Sequence, residues 1–501
     1  MKKDFRVLLF YPNEPLLGIA PSNLAILAAY LKRDGFEVKL FDCTIYKPKN
    51  VETNDEIRAK LGHVKKSNIS DFFTAKEVDI YEDFVKIVEE YKPDLIGFSV
   101  IDSTITFSLT FIEKIKDKKI PVIFGGVGST FFYDRILKTN LVDFVCVGEG
   151  EEALVELCNR MLNKEDCTNI KNIYTKDSSG NIIKNPLRKL VDINKLPIPD
   201  FSIYESYRFY RPFFGTITKM LRIDIDRGCP FVCTYCAAPG LKQISKDNDC
   251  GHYYRIKNVD KIFEEINDVI KNYGANFLSI SAESFLSMPL SKFREFAERY
   301  KREINIPFTC QTRLDTFTEE KTRLLAEMGC KSIAVGLEHG SEKIRQELLN
   351  KRLTNTQIIN GFKELAKYDI VPGINNMIGL PDETRENVFE TIELNRQVSE
   401  ILNGKFTLNI FTFIPFSGTR LRDMCIEKGY ITGDEDIPLS FFKYSLLNMP
   451  SMSKEEIYGL EKTFVLYVSL PKSYWPDIKI AEQDNEEGEQ MFQELMKINN
   501  G

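Results

Sequence analysis

Through residues 1–165 the apolar positions alternate between short solid runs and longer stretches with helical spacing. Residues 6–11 (Arg-Val-Leu-Leu-Phe-Tyr) form a strand-like run. After Pro21, Leu24, Leu27, Ala28 and Leu31 fall on one helical face, and Gly35 sits where a helix-ending glycine belongs. Strand-like runs recur at 37–41, 95–100, 121–124 and 144–147, with helical patterns near 79–91, 104–118 and 151–162. Solid apolar runs alternating with amphipathic helices predict a parallel sheet covered on both faces. The expectation is an α/β, doubly wound domain over 1–165.

Residues 166–220 break this rhythm. Asp177-Ser178-Ser179-Gly180 reads as a hairpin turn and Leu196-Pro197-Ile198-Pro199-Asp200 as a rigid linker. From 221 the alternation restarts, with strands predicted at 221–226, 276–281, 307–312, 332–336, 372–377 and 407–413. Six βα units predict a partial (βα)6 barrel of the TIM type over 221–430, with its active site at the carboxyl ends of the strands. A mainly helical C-terminal region follows over 431–501. There Ser453 and Glu456 form a capping box that opens a helix running to about Leu470.

Composition narrows the function classes. A chain of 501 residues exceeds one ordinary core, so several domains are expected. A formal charge of −6 argues against a dedicated nucleic-acid binder, which would show a basic face. The acidic run at 484–490 reads as a solvated tail. The N-terminal apolar run is too short for a signal segment, and no stretch approaches the roughly 18–20 apolar residues of a membrane span. A cytoplasmic protein is expected. Of its 11 cysteines, Cys146, Cys158 and Cys330 are isolated in apolar segments, as small core residues are.

Three others lie in Arg227-Gly228-Cys229-Pro230-Phe231-Val232-Cys233-Thr234-Tyr235-Cys236, directly after the first barrel strand. Such a loop can wrap three thiolates around three corners of one 4Fe–4S cube. The fourth iron stays open to a non-protein ligand, whereas electron-carrier clusters usually have four cysteines. A structural zinc site would need a fourth ligand, for which Cys250 is the candidate, but it lacks a paired spacing.

At these residues the chain resembles the radical SAM superfamily, whose signature is Cys-x3-Cys-x2-Cys with an aromatic residue before the last cysteine, here Tyr235. The resemblance implies that Cys229, Cys233 and Cys236 hold the cluster and that its free iron chelates S-adenosylmethionine (SAM). Cleavage of SAM would then give a 5'-deoxyadenosyl radical. Glu283, after the second strand, stands where the family carries an acidic residue beside the SAM amino group. Val335-Gly336-Leu337-Glu338-His339-Gly340-Ser341 resembles the Gly-Ile-Glu-Ser-Gly-Ser element, with His339 where serine is commoner. Arg313 ends the third strand and could pair with the SAM carboxylate in a two-pronged fork; a surface salt bridge is the alternative. Ile378 and Gly379 belong to an adenine-side element, where a glycine lets backbone approach a flat ring. Residues 413–419 resemble the sixth-strand Pro-x-x-Gly-Thr element.

A doubly wound domain ahead of such a barrel resembles the cobalamin-binding subgroup of that superfamily. The fitting elements are Pro12, Ser99 with Thr104, Gly125-Gly126-Val127-Gly128-Ser129-Thr130 and Gly148-Glu149-Gly150-Glu151, all after predicted strands, where open α/β sheets bind ligands. Ser99, Thr104, Gly125, Gly126, Gly128, Gly148 and Glu149 are the expected cobalamin contacts. Gly126–Thr130 lacks the lysine of a phosphate loop. Asp42 begins no Asp-x-His-x-x-Gly motif, and His63, His252 and His339 lie in other settings, so no histidine is expected below the cobalt. The rival reading of this domain is a scaffold without cobalamin.

Together these resemblances imply a cobalamin-dependent radical SAM methyltransferase acting on an unactivated carbon or a phosphorus centre. The alternative is rearrangement, cyclisation or oxidation without net methylation. A methylthiotransferase and a passive iron–sulfur module fit less well. The expected partners are a small-molecule or peptide substrate and an external electron donor of flavodoxin or ferredoxin type, with neither nucleic acid nor a membrane span. Phe441, Phe442, Tyr444, Tyr467 and Trp475 serve either the substrate pocket or the core.

Overall fold

The computed structural model describes residues 3–14, 18–47, 53–63, 72, 75–439 and 445–500. Its first sheet contains β1 (Arg6–Tyr11), β2 (Glu37–Asp42), β3 (Leu95–Ser99), β4 (Val122–Gly125), β5 (Phe144–Cys146), β6 (Ile173–Lys176) and β7 (Ile182–Ile183), in the order β2-β1-β3-β4-β5-β6-β7. The first five are mutually parallel; β6 and β7 add antiparallel. Alternate residues of β1 feed two cores, as the two-residue period of a strand requires. Leu8 and Phe10 join Phe84, Phe98 and Phe111 on one face. Val7 and Leu9 join Leu24, Ala28 and Leu157 on the other, in a core continuous with that of the barrel. Chain order reverses between β1 and β3, the position at which doubly wound sheets open a ligand crevice.

The second sheet runs β16-β15-β14-β13-β12-β9-β8. It comprises β8 (Tyr210–Phe213), β9 (Thr216–Asp224), β12 (Phe277–Ser281), β13 (Phe308–Thr312), β14 (Cys330–Glu338), β15 (Val371–Ile378) and β16 (Thr407–Thr412). A two-stranded ribbon of β10 (Asp226–Arg227) and β11 (Arg255–Ile256) leads into the cysteine loop. The six strands from β9 to β16 in this sheet are parallel, each joined to the next by a crossover, as the six βα units predict. Edge strand β8 is antiparallel to β9.

The expected linker over 166–220 also contributes to both sheets. Asp177–Gly180 turns between β6 and β7 as predicted, but that hairpin extends the first sheet, and β8 extends the second. Strands of two to four residues carry too few alternating positions to stand out in the sequence.

The C-terminal region is helical. Ser453 and Glu456 form the expected capping box, and the helix Lys454–Ser469 packs on the helix Arg385–Ile401 and on β16. Tyr467 and Trp475 belong to the core: they pack edge-on with Phe389 at 5.1–5.5 Å, and the Tyr467 hydroxyl donates to Glu482 at 2.6 Å. Phe441, Phe442 and Tyr444 lie outside the described residues. Among the described residues no helix is long and apolar enough to cross a membrane.

The two sheets are bolted together at their carboxyl ends. Buried Asp102, after β3, accepts the backbone N–H (2.6 Å) and the hydroxyl (2.7 Å) of Ser417, after β16. Arg208 reaches from the linker to Asp42 at the end of β2, 2.7 Å away and equally buried. Hydrogen bonds to an ionised group are among the stronger ones, so these contacts fix the relative placement of the domains.

Candidate active site: a cysteine loop beside an interdomain cavity

The chain leaves β10 through Gly228, where the left-handed turn (φ 78°) admits no side chain: a Cβ would lie 2.4 Å from the carbonyl oxygen of Tyr253. Cys229, Cys233 and Cys236 follow, each partly buried. Burial, then the nearby Glu283 charge and the other two thiols, push the Cys229 thiol up to about 12, so the three sulfurs share one neighbourhood. The Ala238 N–H donates to Cys236 Sγ at 3.4 Å, and Arg313 Nη1 to Cys233 Sγ at 3.7 Å. Three thiols gathered in one loop, two of them already furnished with N–H donors to sulfur, suit an iron–sulfur cluster. Cys250 is buried elsewhere, its thiol directed at the carbonyl of Asn248 (3.7 Å), so the zinc alternative gains no ligand.

Around the loop, Tyr235 donates its hydroxyl to Glu338 Oε1 at 3.0 Å. The same oxygen accepts from Lys351 Nζ at 2.7 Å. Arg313 is committed to Asp315 (2.8 Å) and lies over the Phe231 ring at 3.9 Å, so it is a buried part of the loop's support and not a surface salt bridge. Glu283 faces the loop from the end of β12; burial raises its carboxyl, Arg222 lowers it and Asp224 raises it. Ile378 is wholly buried. Gly379 turns with φ 74°, and the space a Cβ would take is filled by Ile457 at 3.2 Å, so the C-terminal helix is one reason for this glycine. His339 is also wholly buried: Nε2 contacts Glu383 at 2.8 Å, and Nδ1 accepts the Ser341 N–H at 2.9 Å. That pairing makes it a structural residue of the turn after β14.

A cavity of about 500 Å³ lies between the domains. Its floor is apolar, from Leu9, Leu24, Leu27, Ile123 and Leu154 on the barrel-facing side of the first sheet. Ser99, Gly125, Gly126, Gly148 and Glu149 line it as expected, whereas Thr104 and Gly128 do not. Thr104 is spent capping its own turn, through Ile101 N–H at 3.0 Å. A Cβ on Gly128 would meet the backbone of Ile101 and Asp102 at 2.6–2.8 Å, and one on Gly126 the carbonyl of Val100 at 2.4 Å. Both glycines thus serve the close packing of this turn on the loop after β3. Gly125 alone of the three could carry a Cβ without a clash, its nearest neighbour being the Cys146 Cβ at 3.8 Å, and it lines the cavity with bare backbone that a flat ligand could approach. None of the three histidines lines the cavity.

The barrel wall of the cavity is polar, and sequence reasoning missed most of it. Arg222 holds Asp224 at 2.7 Å and Ser281 at 2.7 Å. Asp226 accepts the Glu283 N–H at 3.1 Å and has no cationic partner in the described residues. Burial is the main cause that pushes Asp226 up to about 8, with the charges of Glu283 and Asp224 adding to it. Asp224 and Asp226 share one side of the chain leading to Cys229, a two-residue spacing that could have marked them. Arg255 and Lys351 carry no local signal, because their partners are 106 and 13 residues away.

Three thiols at the mouth of a partial barrel, next to a cavity of cofactor size between the domains, suit an iron–sulfur enzyme with a further cofactor beside its cluster. Residues 223–394 match the radical SAM superfamily and residues 17–158 the B12 binding domain. The chain thus carries a radical SAM domain with a B12-binding domain ahead of it, and the cofactors these domains bring are a 4Fe–4S cluster, SAM and cobalamin. It is 26% identical over 412 residues to an uncharacterized methyltransferase of Pyrococcus horikoshii, covering 79% of this chain and 83% of that one. It is 21% identical over 485 residues to the cytidylyl-2-hydroxyethylphosphonate methyltransferase of Streptomyces wedmorensis (89% and 85%). It is 26% identical over 351 residues to the anaerobic magnesium-protoporphyrin IX monomethyl ester cyclase of Rubrivivax gelatinosus (67% and 60%). The fold is shared with the radical SAM methyltransferase TsrM of Kitasatospora setae, solved with cobalamin and a 4Fe–4S cluster bound. That match has a TM-score of 0.60 at 16% identity and covers 85% of this chain and 78% of that one.

Proposed function

We propose that the protein is a cobalamin-dependent radical SAM methyltransferase acting on an unactivated carbon or a phosphorus centre. One observation carries this reading: Glu283 lines the interdomain cavity and its charge is felt by the thiols of Cys229 and Cys236, so the two cofactor sites adjoin. A substrate held between them meets both, as a short-lived reactive centre demands. When bound, the cluster and SAM supply the hydrogen-abstracting radical and cobalamin supplies the methyl group.

The chain's own residues bind and orient. Tyr235, Glu283, Arg313, Glu338, Ile378 and Gly379 are the residues that would hold SAM; Ser99, Gly125, Gly126, Gly148 and Glu149, which line the cavity, are those that would hold cobalamin. The apolar floor would exclude water from a cobalamin bound in the cavity. An external electron donor of flavodoxin or ferredoxin type would reach the cluster from the side of Val232, whose side chain stands exposed between two of the cysteines. Ring closure without methylation is the second reading, favoured by the similarity to the cyclase.

Protein produced with cobalamin and isolated without oxygen tests the cofactor set. Retention of one equivalent of cobalamin, with a spectrum unchanged in His63→Ala, supports the reading. Active protein without cobalt would leave the first domain a scaffold.

A further inference from the structure

Glu338 is a glutamate in the left-handed region (φ 68°), at a break in the register between β14 and β15. A side-chain-bearing residue holds such a conformation only when its surroundings fix it. What fixes it here is Lys351, almost wholly buried, whose Nζ donates to Glu338 Oε1 and to the Gly336 carbonyl, both at 2.7 Å. Gly336 must be glycine for this pair to exist: a Cβ there would lie 1.9 Å from Glu338 Oε1 and 2.7 Å from Lys351 Nζ. The Tyr235 hydroxyl completes the set on the same carboxylate oxygen, and Oε2 has no partner among the described residues.

The segment that brings Lys351 also grips the cysteine loop. Leu349 O accepts the Thr234 N–H at 3.1 Å, Leu348 O accepts the Thr234 hydroxyl at 2.5 Å, and Asn350 Nδ2 donates to Val232 O at 3.1 Å. The segment is itself anchored by Arg345, wholly buried, which donates to the carbonyls of Gly340 (2.9 Å) and Leu353 (3.0 Å). An irregular five-residue π turn over Ile344–Leu348 sits in the middle of it, a feature that clusters at functional sites.

We infer that Lys351 is a positioning residue of the SAM site. Through Glu338 and Tyr235 it sets the cysteine loop and the end of β14 at one fixed spacing. The inference rests on SAM binding at this loop, and nothing in it requires Lys351 to touch SAM or iron.

A double-mutant cycle on the anaerobic full-length protein tests it, reading iron content, thermal midpoint and the SAM dissociation constant from the shift SAM causes in the spectrum of the reduced cluster. Wild-type protein that holds iron and binds SAM establishes the underlying reading; failure there sinks that reading and not this one alone. Lys351→Met should keep the full iron content and weaken SAM about tenfold to a hundredfold, the usual range for a residue supporting a ligand. Lys351→Arg should recover most of the affinity. The pair Lys351→Met with Glu338→Gln should be no weaker than Glu338→Gln alone, because coupled residues lose one shared interaction. Should Lys351→Met fail to fold, Tyr235→Phe, which removes only the hydroxyl, must show the same non-additivity with Glu338→Gln. Additive losses, or iron lost in step with stability at unchanged SAM affinity, would overturn the inference.

Discussion

Arg227, two residues before the first cysteine of the triad, places its guanidinium on Glu149 (3.2 Å) and Glu151 (2.5 Å) of the other domain. Arg255 closes on the same Glu149 at 2.5 Å, and the Val191 N–H donates to it at 2.9 Å. Glu149 thus lines the cofactor cavity and is simultaneously tied to the strand that feeds the cysteine loop. The turn after β5 and the strand that leads to the cysteines are held together by side-chain contacts.

That tie has a pH signature. Burial alone would raise the Glu149 carboxyl, but the Arg255 hydrogen bond and the charges of Arg227 and Arg255 hold it below the usual range. A depressed carboxylate contributes stability that is fully present above its unfolded value of about 4.3 and is lost as pH falls through the folded one. Glu149→Gln should cost about 1–3 kcal/mol at neutral pH, since it leaves partly buried arginines short of a partner. The difference from wild type should shrink in acid unfolding curves below pH 4.

Asp226 behaves with the opposite sign. With its carboxyl pushed up to about 8, the folded state holds a proton that the unfolded chain gives up near pH 4. Stability therefore falls as pH rises between those values. Asp226→Asn removes the titration, so its advantage over wild type should grow from pH 4 to pH 8 and then level off. Denaturant midpoints at several pH values measure it; a constant difference would mean that Asp226 is ionised throughout.

The cysteines divide by role. Cys229→Ala, Cys233→Ala or Cys236→Ala should each abolish the reconstituted cluster and SAM cleavage, since each removes one of three thiolates. Cys146→Ala or Cys330→Ala should leave both intact and cost some stability, both thiols being buried in cores. Iron analysis and 5'-deoxyadenosine yield read the two groups apart.

The glycines after β4 divide as well. Gly126→Ala puts a methyl group 2.4 Å from the Val100 carbonyl in a left-handed turn (φ 105°), and should destabilise the domain by roughly 2–4 kcal/mol. Gly125→Leu meets no such obstacle and should fold normally while filling the cavity. Thermal midpoint and bound cobalamin separate the two: the first variant loses stability, the second only the ligand.

The larger units of this fold are legible in the sequence because each rests on a repeated signal. Solid apolar runs mark β1 and β3, the helix Ser22–Arg33 shows its apolar face at Leu24, Leu27, Ala28 and Leu31, and the Ser453 capping box marks a start. The cysteine triad is equally plain, its chemistry set by local spacing. What escaped notice depends on pairing across the chain. Glycine at 126 and 128 suggests backbone meeting a ligand, yet the backbone it meets is at Val100–Asp102. Glu149 suggests a cofactor contact, yet its partners come from 78 and 106 residues further on. Lys351 looks like one lysine among many until β14 folds back to meet it.

In the proposed reaction one SAM would re-methylate the cobalt, leaving S-adenosylhomocysteine, and a second SAM would yield the 5'-deoxyadenosyl radical. Anaerobic, cobalamin-loaded protein given a reductant and excess SAM should yield both S-adenosylhomocysteine and 5'-deoxyadenosine. Gly125→Leu should lose only the first product, and Cys233→Ala, which removes the cluster, should lose the second. Quantifying the two products in these three proteins is the most direct test. Formation of 5'-deoxyadenosine alone by the cobalamin-loaded wild type would contradict the account and favour ring closure or another radical reaction without methyl transfer.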